Sequence, residues 1–168
     1  MQKHTRRVRL ALVPILMIMA GIGCRAEEES SFESDYWKAE HKLNLMWEIA
    51  NTHKESGKLD EALEKAQKII EYSLPMDTSF QPSVEGQGNR LQVYAFMAEI
   101  EKERGNHEAS LAHIAAGVQA ISKSEGLPVS VSHQLQAALH EMAGHVHKER
   151  GESDKATAEF EKAIELMP

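Results

Sequence analysis

From residue 35 onward, apolar residues recur at helical intervals and nowhere keep up a strand-like alternation with polar ones. Glycine and proline punctuate this pattern regularly. "KESG" at 54–57, "KERG" at 102–105 and "KERG" at 148–151 recur 48 and 46 residues apart, and Pro82 and Pro128 each lie 23 residues before their glycine. Proline is tolerated in a first helical turn, whereas glycine suits the left-handed conformation that ends helices. Each unit therefore reads as a long helix, a glycine turn and a second helix. The predicted helices are Asp35–Ser56 with Leu59–Leu74, Gly88–Arg104 with His107–Ser124, and Val131–Arg150 with Ser153–Met167. The start of the third and fifth could fall several residues earlier. His107–Ser124 is apolar on nearly all sides, as a sandwiched helix is. The last helix carries one narrow stripe of Ala156, Phe160, Ala163, Ile164 and Met167, and its polar outer face suits the end of a stack.

The third unit, "LHEMAGHVHKERGESDKATAEFEKAIELMP", resembles a tetratricopeptide repeat. Gly144 falls at the small position of its first helix, Gly151 opens the turn, and Ala156, Phe160 and Ala163 take the packing positions of the second. "GKLDEALEKA" at 57–66 matches the same turn and second helix, and "GNHEASLAHI" matches it less well. The resemblance spans residues 35–168 and implies an all-α fold, a right-handed stack of three antiparallel hairpins with unusually long helices. It also implies a concave partner face built from the first helices. The ligand-contacting positions of the family fall on Asn44, Trp47, Asn51, Lys54 and Glu55, on Gln92, Ala95, Glu99, Lys102 and Glu103, and on Ala138, Glu141, His145, Lys148 and Glu149. From these, Trp47, Asn51, Glu99 and His145 are the expected partner-binding strip, with packing under a loop as the competing role for Trp47. Tyr36 and Trp37 are expected to pack the start of the first helix.

The N-terminus has a different character. Lys3, Arg6, Arg7 and Arg9 precede the apolar "LALVPILMIMA" and the small-residue run "AGIGC", the layout of a secretory signal over residues 1–23. Leu10–Cys24 falls short of the roughly 20 apolar residues a spanning helix needs. Cys24 is the one cysteine of the chain, and "AGIGC" resembles the lipobox of bacterial lipoproteins, although Gly21 stands where leucine is usual. The resemblance implies a lipidated Cys24 as the mature N-terminus, and Arg25 after it points to the outer membrane, facing the periplasm. Residues 24–34, acidic and serine-rich, read as a flexible tether.

Charge narrows the partners. The whole chain carries −7, and removing the four basic residues of the signal leaves −7 − 4 = −11. Such a surface repels phosphate backbones, so no nucleic acid is expected. "HEMAGHVH" at 140–147 suggests zinc, yet His140 and His145 are five apart and so do not share a helix face. His133, His140 and His147 align every seventh residue, about 10.5 Å apart, too far for neighbouring bonds of about 2.1 Å to one ion. His140 and His147 occupy the register of Met46 and His53, which predicts packed rings with one nitrogen bonded, and Glu141 should face His145. No phosphate-binding loop or nucleophile elbow occurs; "GQG" at 86–88 lacks strand context. The expectation is a lipid-anchored adaptor without catalytic residues, metal or cofactor, binding an envelope protein or peptide and touching the membrane through Cys24. Two alternatives stay open: a metal-handling protein or hydrolase with histidines converging from different helices, and a structural subunit of an envelope lipoprotein assembly.

Overall fold

The computed structural model describes residues 23–72 and 84–167; residues 1–22 of the expected signal peptide, the expected helix end Leu74 and Pro82 lie outside the described residues. Six helices follow one another: α1 (Gly23–Glu55), α2 (Leu59–Glu71), α3 (Val84–Glu103), α4 (His107–Ser122), α5 (Val129–Glu149) and α6 (Ser153–Leu166). Among the described residues there is no strand, and no helix is long and apolar enough to cross a membrane. The helices pair as three antiparallel hairpins, α1 with α2, α3 with α4 and α5 with α6, and each hairpin packs on the next.

The three turns are built alike. Gly57, Gly105 and Gly151 adopt φ of 72°, 76° and 75°, a conformation that costs any residue with a Cβ. In each turn the glycine N–H donates three residues back and the next N–H donates five back: Gly57 to Lys54 and Lys58 to His53, Gly105 to Lys102 and Asn106 to Glu101, Gly151 to Lys148 and Glu152 to His147. These pairs satisfy carbonyls that a helix end would otherwise orphan. Basic residues close the first helices (His53 and Lys54, Lys102, His147 and Lys148) and acids open the second ones (Asp60 and Glu61, Glu108, Asp154), so the lysines and carboxylates match the helix dipoles on both sides of each turn.

Two apolar clusters hold the stack. The first joins Leu43 and Ala50 of α1 and Ala62, Ala66 and Ile69 of α2 to Val93, Phe96, Met97 and Ile100 of α3. The second joins Leu91 and Ala98 of α3 and Ile114 and Ile121 of α4 to Leu139, Ala143 and Val146 of α5. Ser110, fully buried, donates its Oγ hydrogen to the Ala98 carbonyl at 2.7 Å and pins α4 against α3. Gly144 brings α5 close to α6, because a Cβ there would lie 2.5 to 2.8 Å from ring carbons of Phe160.

Four expectations need correcting. Ile164 and Met167, expected in the packed stripe of the last helix, are 68% and 53% exposed, so the outer face of α6 is not wholly polar. The backbone of 24–34 is helical rather than a flexible tether, since α1 begins at Gly23, and Ala26 and Glu27–Glu29 are good helix formers. Trp37 is exposed while Tyr36 beside it is buried, their rings meeting edge-on at 5.9 Å. In α4 the buried face holds Ser110, Ile114, Gly117 and Ile121, whereas Ala112, Ala115 and Ala116 are exposed. Alanines made that helix look apolar all round although it has an outer face. The remaining helix ends agree with the pattern to within about four residues, and Pro128 sits immediately before α5 as its N-cap.

Candidate partner-binding groove

Alternation of hairpins places α1, α3 and α5 side by side on one face. Between them runs a groove of about 440 Å³. From α1 come Trp47, Asn51 and Lys54; from α3, Gln92, Ala95, Phe96, Glu99 and Lys102; from α5, Met142 and His145. Trp47, Asn51, Glu99 and His145, distant in the chain, therefore share one concavity. Lys54, Gln92, Ala95 and Lys102 join them, as the repeat register implies, whereas Asn44, Glu55, Glu103, Ala138, Glu141, Lys148 and Glu149 do not line it. Their positions lie one step around or beyond the helix stretch that bounds the groove.

The floor is apolar and partly aromatic. Trp47 and Phe96 meet with ring centroids 5.0 Å apart at 56°, and Trp47 is half-buried against the first core cluster. Trp47 thus both packs and lines the groove, and its packing is against Phe96 of α3 rather than under a loop. The Asn51 side-chain amide donates to the Trp47 carbonyl at 3.2 Å, which fixes its rotamer and leaves its oxygen free to accept.

Charges along the rim are tied across hairpins. Lys54 binds Glu99 at 2.5 Å and Glu103 at 3.3 Å, joining α1 to α3, and Lys102 reaches Glu149 at 3.5 Å, joining α3 to α5. Glu103 and Glu149 thus serve the groove by holding its lysines. Burial pulls the Lys54 ammonium towards neutrality, but Glu99 and Glu103 more than offset this and hold its pKa above the ordinary 10.5. The Lys54 ammonium also lies 5.5 Å from the centroid of the Phe96 ring.

Phe96 and Met142 were not among the expected lining residues. Both stand one position after an expected one, in the same register as Glu48 of α1. A large apolar side chain at that register in two of three units was the signal present in the sequence.

Among the described residues the histidines do not gather at a shared metal position. His140 donates from Nδ1 to Glu159 at 2.6 Å and His147 from Nδ1 to Glu152 at 2.6 Å, each half-buried. Since a carboxylate only accepts, Nδ1 carries the proton in both. The Glu152 carboxyl is held below the usual 4.5 chiefly by this His147 contact. For Glu159 burial acts upward, and the Lys162 and His140 contacts outweigh it, so its pKa also falls below 4.5. His145 lies 3.8 Å from Glu141 and edge-on to Phe160 at 5.2 Å. Burial lowers the pKa of His113 in α4, with Glu101 opposing. Among the described residues no three His, Cys, Asp or Glu side chains are placed to share a metal ion. Cys24 lies in the first turn of α1.

No curated protein matches the chain. A similar solved structure is the crystal structure of MamA, with a TM-score of 0.33 and 17% identity, covering 89% of this chain and 96% of that one. The model of the tetratricopeptide repeat matches residues 137–168, which run from the middle of α5 through α6.

Proposed function

We propose that this chain is a lipid-anchored, non-enzymatic adaptor of the bacterial cell envelope whose groove holds a segment of another envelope protein. Lipidated Cys24 fixes it to the outer membrane on the periplasmic side, and the stack presents the groove. The observation that carries this reading is the meeting of Trp47, Asn51, Glu99 and His145, from three different hairpins, in one groove.

The chemistry of that groove suits a polypeptide. Trp47, Ala95, Phe96 and Met142 offer an apolar floor on which a side chain can be desolvated, and tryptophan is over-represented among residues that dominate binding energy. Asn51 and Gln92 present both donors and acceptors, as peptide backbone requires. Lys54 and Lys102 are already compensated by glutamates, so the rim does not demand a strongly charged ligand.

Trp47→Ala is a poor probe of binding, because the ring also packs on Phe96 and its loss would lower stability. Gln92 is exposed and makes no ring contact, unlike His145, which lies edge-on to Phe160, so Gln92→Ala should keep the parent melting temperature. It should capture much less partner from a detergent-solubilised envelope fraction. Undiminished capture would rule the groove out. Anchoring is tested separately: Cys24→Ser should block fatty-acid labelling, and a variant that labels like the parent would end the lipoprotein reading.

A further inference from the structure

The turn glycines place the three hairpins in one register, so residues 48 and then 46 apart are equivalent. Position 45 of α1 corresponds to Val93 and Leu139, and position 49 to Met97 and Ala143. In α3 and α5 these four residues are buried in the clusters that join each hairpin to the one before it. In α1 the equivalents are Leu45, 51% exposed, and Ile49, 42% exposed. The opposite end repeats the observation. Val118 packs against the second cluster, Ile70 against the first, and Ile121 is buried where α5 docks. Their equivalents in α6 are Ile164, 68% exposed, and Met167, 53% exposed.

We propose that the chain associates head to tail with a second copy of itself, the α1 face of one copy docking on the α6 face of the next. The two faces are the halves of one interface that occurs twice inside the molecule, so their apolar positions match by construction. Soluble repeat stacks are ordinarily closed by terminal helices with polar outer faces, and here both ends instead keep large apolar residues at the docking register. The contact is heterologous, so each docking leaves one open face of each kind and the stack continues. It is weaker than the internal interfaces. Thr157 stands where Leu63 and Leu111 do, and Thr52 where Ile100 and Val146 do, so association is reversible and concentration-dependent.

Sedimentation velocity of the full chain in density-matched detergent tests this. The average mass should climb beyond a dimer as concentration rises through about 10–500 µM. Leu45→Asp and Ile164→Asp alter exposed side chains and should keep the parent melting temperature. Each alone should weaken association about tenfold or more. The decisive arm is the mixture, since each variant retains the face the other lacks. Mixed in equal amounts they should form a one-to-one dimer and nothing larger. The proposal is overturned if the parent stays monomeric, if either variant alone still forms chains, or if the mixture does not pair. Sensitivity to Leu45→Asp alone would mean that two α1 faces pair, which also overturns it.

Discussion

Gly144→Ala tests the close approach of α5 to α6. The added Cβ would sit 2.5, 2.7 and 2.8 Å from Cε1, Cδ1 and Cζ of Phe160, where carbon atoms prefer about 3.5–4.0 Å. Either the ring or α6 must retreat by about 1 Å. The ring has little room, because His145 lies edge-on to it at 5.2 Å. Overpacking of this kind costs about 1–3 kcal/mol. Alanine in a helix interior is favoured over glycine by about 0.8–1.0 kcal/mol, which works the other way. The net expectation is a loss of about 1 kcal/mol, or a melting temperature lower by roughly 3 °C for a domain of this size. Urea denaturation followed by circular dichroism measures it. In a Phe160→Leu background the clash is relieved and only the propensity gain remains, so the same Gly144→Ala change should stabilise by about 0.5–1 kcal/mol. If Gly144→Ala stabilises the parent as much as it stabilises the Phe160→Leu protein, the close packing of α5 on α6 is wrong.

Other expectations follow from single contacts. Ser110→Ala removes the bond from the α4 hydroxyl to the Ala98 carbonyl and should cost about 1 kcal/mol in the same urea assay. Gly105→Ala forces a Cβ residue to φ of 76° and should cost about 1–2 kcal/mol, whereas Ala116→Gly on the exposed face of α4 should cost no more than its propensity, about 1 kcal/mol. The Glu159 carboxyl is held below 4.5 in the folded state, so its contribution is fully present above that value and is lost as pH falls through the folded pKa. Glu159→Gln should therefore flatten the fall in urea midpoint between about pH 5 and about pH 3, and an unchanged slope would remove Glu159 from the acid transition.

The glycine turns were the most legible part of the fold, because a glycine recurring every 46 to 48 positions after a cationic helix end marks a left-handed residue. Helix boundaries near those turns followed from them. The beginning of α1 was misread for a compositional reason: an acidic, serine-rich run suits a tether, yet its Ala and Glu residues are also good helix formers. The exposed alanines of α4 show a related ambiguity, since alanine is small enough to sit on either side of a helix. At the groove, Trp47, Asn51, Glu99 and His145 could be placed together only by carrying one register across three hairpins. Phe96 and Met142 escaped because each belongs to both a core stripe and the groove wall, and no single helix pattern separates the two. The salt bridges from Lys54 to Glu99 and from Lys102 to Glu149 depend on neighbouring helices lying side by side, which periodicity within one helix does not report.

If the face formed by α1, α3 and α5 holds a protein partner, site-specific photo-crosslinking in the producing cell can trap that partner there. A photoreactive side chain at Gln92, exposed in the middle of the groove, is compared with one at Ala116, exposed on α4. A discrete protein adduct is expected from position 92, reduced by His145→Ala, and none of that adduct from position 116. The same adduct from both positions, or from position 116 alone, would contradict a partner seated in the groove.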